Sequence, residues 1–167
     1  MKAYKELVTA LDQLVTVYRH LLDVVRKEHE ALLAADHKEI PIINDSKEKM
    51  LLKIRKLDAA WEEHANELMK GLKMDNSRPR LLDIAAQFEG DDAQKLQQLH
   101  SVLNMLVQRI SEINKKNEVL AKAALSHISG AMASITETLN ANPTYEKGGD
   151  MKEKVEGASG RLVQREA

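Results

Sequence analysis

"ADHKEIPIIND", residues 35–45, interrupts two long runs of helical pattern and decides how the chain folds. Pro41 lacks an amide hydrogen, so it breaks a helix interior but suits a first turn; one helix must end before it and another begin near residue 40. On the N-terminal side, Tyr4, Leu7, Leu11, Leu14, Tyr18, Leu21, Val25, Glu28 and Leu32 recur at alternating spacings of three and four. On the C-terminal side, Ile43, Lys47, Met50, Ile54, Leu57, Trp61, His64, Leu68 and Gly71 do the same. Such a stripe marks a helix packed along another helix. Folded back as an antiparallel hairpin, the stripes pair Leu32 with Ile43, Glu28 with Lys47, Leu21 with Ile54 and Leu14 with Trp61. Any two heptad patterns running in opposite directions can be aligned somewhere. The informative result is that this alignment puts the turn between residues 37 and 38, on the break itself, and sets the two charged stripe positions against each other with opposite sign.

Beyond the hairpin, "DNSRPRLLDIAAQFEG" (residues 75–90) reads as a connector, with Pro79 and Gly90 bounding a short helix over about 79–88. A third long helix is expected over 91–139, giving helices at 2–36, 40–74, 79–88 and 91–139. Its stripe is Leu96, Leu99, Leu103, Leu106, Ile110, Ile113, Asn117 and Leu120, after which it slips by one position and continues as Leu125, Ile128, Met132, Ile135 and Leu139. Each hairpin arm is roughly 50 Å long and the third helix roughly 73 Å, at 1.5 Å per residue. A third helix that runs back along the second from near Met74 therefore reaches the hairpin turn near residue 125, and the slipped stripe overhangs. The fold class is all-α: an elongated antiparallel helical hairpin plus a longer third helix, coiled-coil-like, making a helical domain over 1–140. Residues 141–167 are rich in glycine and mixed charge and are expected to be a flexible tail.

Asn117 falls where the stripe calls for leucine, and asparagine is a poor helix former because its side chain competes for backbone hydrogen bonds. The same alignment puts it level with Glu28 and Lys47. An unpaired buried charge is costly and a hydrogen-bonded set is tolerable, so Glu28, Lys47 and Asn117 are expected to form a polar layer that holds the register of the three helices.

The composition narrows the functional classes. Charged residues make up 31% of the chain with a net charge of −1, so there is no electrostatic case for nucleic acid. The 43% of hydrophobic residues are nowhere gathered into a run of membrane-spanning length, and no stable membrane insertion is expected. Cysteine is absent, which removes disulfide and thiol chemistry. The start, "MKAYKELVTALDQL", lacks the apolar core of a signal peptide, and the expected location is the cytoplasm. No histidine has an acid three residues before it, as a di-iron bundle requires, and there is no His-Glu-x-x-His zinc motif or phosphate-cradling glycine loop. No catalytic residue, cofactor site or metal site is therefore expected, and His64 and Trp61 are read as parts of the seam. A histidine phosphotransfer bundle would need one exposed histidine; His20, His29, His37, His100 and His127 qualify only by being present.

Three segments in order carry a family likeness. "EHEALLAAD" (28–36), then Lys47 with Leu51 four residues on, then "NKKNEVL" (114–120) and the tail's "TYEKGG" (144–149) together resemble the FlgN family. The resemblance implies a cytoplasmic chaperone of the flagellar type III export system. Such a chaperone binds the C-terminal helices of hook–filament junction proteins, prevents their premature self-association and delivers them to the export gate, without a cofactor. Within that reading, Leu125, Ile128, Met132, Ile135 and Leu139 are the candidate client-binding face, interleaved with small residues that let a partner helix approach. Tyr145, an isolated aromatic in a polar segment, is the candidate anchor for an export-gate component. The competing readings are a homodimer that buries the same stripe, a structural or regulatory coiled coil without a client, and the phosphotransfer bundle.

Overall fold

The computed structural model describes residues 2–73 and 80–141, and every regular element among them is helical: α1 (Lys2–Leu33), α2 (Glu39–Gly71), α3 (Leu81–Ala85) and α4 (Gly90–Ala141). Ala141, the first residue of the expected flexible tail, is helical, and the rest of that tail lies outside the described residues. The chain divides into two units, Met1–Ala123 and Ala124–Ala167.

In the first unit α1 and α2 form the antiparallel hairpin. Its turn closes earlier than the pattern alone suggests: α1 stops at Leu33, not at 36. Ala35 adopts a left-handed backbone with φ of 51°. The Asp36 amide bonds back to the Ala31 carbonyl (2.9 Å) and the Ala35 amide to that of Leu32 (3.2 Å), which is a Schellman ending. Asp36 then faces forward, its Oδ1 accepting from the amides of Lys38 (3.1 Å) and Glu39 (3.3 Å) at the head of α2. Pro41 sits in the first turn of α2, where its missing N–H leaves no bond unmade. Alanine at a left-handed position carries a steric cost that glycine avoids. Ala35→Gly is therefore expected to stabilise the protein by about 0.5–1 kcal/mol and to raise Tm by roughly 1–4 °C, read in a thermal melt.

The other boundaries also move. α2 ends at Gly71, short of the expected 74, because Lys73 takes a second left-handed turn (φ 55°) and its amide bonds back to the Lys70 carbonyl. The short helix covers five residues rather than 79–88; past Ala85 the chain tightens, with the amides of Gln87 and Phe88 reaching the carbonyls of Ile84 and Ala85. α4 starts at Gly90, whose φ of 61° suits glycine, and runs to Ala141.

Within the first unit, α4 lies parallel to α1. Tyr4 Oη donates to the Asp92 main-chain oxygen (3.0 Å), Lys95 Nζ to Asp12 Oδ1 (3.0 Å) and Asn117 Nδ2 to the Val25 oxygen (3.1 Å). The sequence separations of these pairs, 88, 83 and 92, are nearly constant, as two helices running side by side in one direction require. Burial pushes the Tyr4 phenol up to about 12, and Asp92 adds to that by its hydrogen bond and its charge. The Tyr4 ring packs on Phe88 with centroids 4.9 Å apart. Because α1 has neighbours on two sides, it buries more than its heptad stripe: Ala10, Val15, Val17, Leu22 and Ala31 join Leu7, Leu11, Leu14, Leu21 and Val25. Each such large apolar side chain contributes about 1.5–3 kcal/mol on burial.

The described part of the second unit is the helical segment 124–141, and side chains 124–140 are all exposed.

Candidate functional site

Two features stand out: a polar knot inside the first unit and an apolar face on the second.

The knot is built around Asn117, which is 4% exposed. Its Nδ2 donates to the Val25 oxygen (3.1 Å) and to Glu28 Oε2 (2.9 Å). With both amide hydrogens used, its Oδ1 faces His29 Nδ1 at 2.8 Å, so that nitrogen carries the hydrogen. Lys47 Nζ bridges both Glu28 oxygens (2.9 and 2.7 Å) and lies 3.5 Å from Asn114 Oδ1. The Lys47 and Glu28 side chains are 23% and 12% exposed. Glu28, Lys47 and Asn117 thus come together across α1, α2 and α4. His29 and Asn114, which the pattern reading left out of the layer, belong to it. A signal existed for Asn114, which lies one turn before Asn117 on the same helix face; His29, next to Glu28 in sequence, does not share its helix face and carried none.

The apolar face lies in the second unit. Leu125, Ile128, Met132, Ile135 and Leu139 are 65%, 53%, 60%, 54% and 70% exposed. Their spacings of three and four put them on one side of the helix. Gly130 lies two residues from both Ile128 and Met132, on the opposite side of the helix, and a Cβ placed there would meet nothing within 4 Å. Glycine in a helix interior costs about 1 kcal/mol relative to alanine, and no packing within the described chain requires it here. Tyr145 lies outside the described residues.

A groove in the first unit is lined by Leu14, Tyr18, Asp58, Trp61, Leu103 and Val107, among others. Burial pushes the Tyr18 phenol above its ordinary range, and the Asp58 charge adds to this. Burial also raises the Asp58 carboxyl, with the charge of Glu62 adding and a hydrogen bond from Trp61 opposing. Trp61 is half-buried there, beside the core that the stripe alignment assigns it to.

No helix among the described residues is long and apolar enough to cross a membrane. A family model described as FlgN protein matches residues 1–153. No curated protein and no solved structure matches the chain.

Proposed function

From the premise that this chain belongs to the FlgN family of flagellar export chaperones, we propose that it binds the C-terminal helical segments of hook–filament junction proteins on Leu125, Ile128, Met132, Ile135 and Leu139. The observation that carries this reading is the exposure of those five side chains, each more than half open to solvent along one helical face. An amphipathic client helix laid against it removes apolar surface from water on both partners. Met132 adapts to differently shaped clients. A client held in this way cannot self-associate through the covered surface. The chaperone works without a cofactor and in the cytoplasm, on the way to the export gate. Residues 1–140 form the chaperone domain, with Tyr145 in the tail 141–167 as the anchor for a gate component. The knot of Glu28, Lys47 and Asn117 sets helix register and takes no part in binding.

The test is calorimetric titration with a peptide of the last ~40 residues of a hook–filament junction protein, a length that gives several helical turns to bury. Wild type should bind saturably. A Leu125→Ser, Ile128→Ser, Ile135→Ser variant should bind at least ~100-fold more weakly, since each lost side chain removes about 1 kcal/mol or more. Its Tm should stay within about 1 °C of wild type, because exposed positions contribute little to stability. Undiminished binding by the variant would move the site. No binding by wild type would remove this client class.

The same exposure favours self-association as the second reading. Sedimentation of wild type and variant separates the two, because a homodimer built on this face dissolves in the variant without any client present.

A further inference from the structure

At the end of the hairpin away from its turn, Glu6 of α1 stands beside His64 and Glu67 of α2, one candidate ligand atom from each lying within 4.8 Å of the others. His64 Nδ1 is 4.0 Å from Glu6 Oε2 and 4.0 Å from Glu67 Oε2. That nitrogen is shut off from water and has no hydrogen-bond partner among the described residues. A buried polar atom left unpaired is costly and calls for an explanation. The stripe alignment takes His64 as a seam residue with no ligand partner, at the position that the antiparallel pairing sets opposite Leu11. The structure places its ring in a cleft with Glu6, Ala10 and Leu57, and brings two carboxylates within reach.

We propose that Glu6, His64 and Glu67 form a divalent transition-metal site, best suited to Zn2+, that ties α1 to α2 at the open end of the hairpin. The donor set is one imidazole nitrogen and two carboxylate oxygens, with remaining positions for water. Zinc accepts such ligands at about 2.0–2.2 Å, which puts neighbouring donors roughly 3.4 Å apart. The two His64–carboxylate distances, 4.0 Å each, are a little over half an ångström wider than that, and all three donors lie within 4.8 Å of one another. The Glu6 and Glu67 side chains are 39% and 57% exposed, so both can swing inward without disturbing the core. His64 and Glu67 are three residues apart on α2 and already share a face. Lys5 lines the same cleft but is exposed and can turn away into solvent. The imidazole selects a borderline ion over Mg2+ or Ca2+, which prefer all-oxygen sites. This site is separate from the proposed client face, so either can fail without the other.

The full chain is titrated with Zn2+ and, separately, with Mg2+, by calorimetry and thermal melting. The expected result is one tight Zn2+ site, no Mg2+ binding, and a Tm rise of about 5–10 °C at a hundredfold excess over Kd. His64→Ala and Glu67→Gln should each weaken the tight site at least tenfold. Glu67 is exposed, so Glu67→Gln keeps the fold if His64→Ala does not, and His20→Ala should bind as wild type does. Equal Zn2+ binding in wild type, His64→Ala and Glu67→Gln would overturn the proposal by assigning the ion to other histidines. No binding up to millimolar Zn2+ would overturn it as well.

Discussion

Lys47→Ala is expected to lower the free energy of unfolding by about 2–3 kcal/mol, while the triple replacement Glu28→Leu, Lys47→Leu, Asn117→Leu should unfold at or above the wild-type midpoint. Removing the ammonium leaves the Glu28 carboxylate, 12% exposed, with the Asn117 amide as its remaining partner in the knot. Breaking a fully buried pair costs about 3–5 kcal/mol; partial access to water at this pair reduces that figure. Leucines at all three positions remove both charges together and extend the apolar seam, so nothing charged is left stranded. His29 is half-buried and can turn its freed Nδ1 to water. The measurement is urea unfolding followed by far-ultraviolet circular dichroism. If the single and triple variants unfold together with wild type, the knot carries no energetic weight.

Ile84→Ala is expected to cost about 3 kcal/mol and to lower Tm by roughly 6–12 °C. α3 has five residues, far too few to hold a helix by its own hydrogen bonds. It persists because Leu81, Ile84 and Ala85 are buried at 8%, 0% and 1% exposure in the core of the first unit. Truncating Ile84 opens a cavity and removes the central contact of that short strap. Amide exchange at Leu81–Ala85 should accelerate along with the drop in Tm. A loss under about 1 kcal/mol would mean that the strap rides on the bundle without supporting it.

What the sequence made legible follows from what periodicity encodes. A stripe of spacing three and four reports which face of a helix is buried, and a break reports where the chain reverses. Together these lead to the hairpin, and the alignment sets Glu28 level with Lys47, whose charged atoms lie 2.7 Å apart in the structure. The pattern does not report lateral contacts. His29 joins the knot only because α4 sits at a particular angle around α1, and nothing in the order of residues gives that angle. The Schellman ending at Ala35 was hidden for a similar reason, since the chain uses alanine where glycine would have announced the left-handed residue. Glu6 was likewise invisible as a neighbour of His64. Pairing positions along the stripes sets His64 against Leu11, whereas Glu6 lies about one turn further from the hairpin's turn.

The parallel course of α1 and α4 imposes an order of events on the nascent chain. Glu28 finds Lys47 across 19 residues, but finds Asn117 only across 89. Closing the longer loop costs about 1.4 kcal/mol more in chain entropy. During synthesis, α1 and α2 are complete well before the last turns of α4 leave the ribosome. The hairpin therefore forms first, and it stays half-dressed, with the α1 flank that α4 covers still wet, until the final helix arrives. Asn117, near the C-terminal end of the docked stretch, pairs among the last, so the knot closes only on a helix that has settled in the correct register.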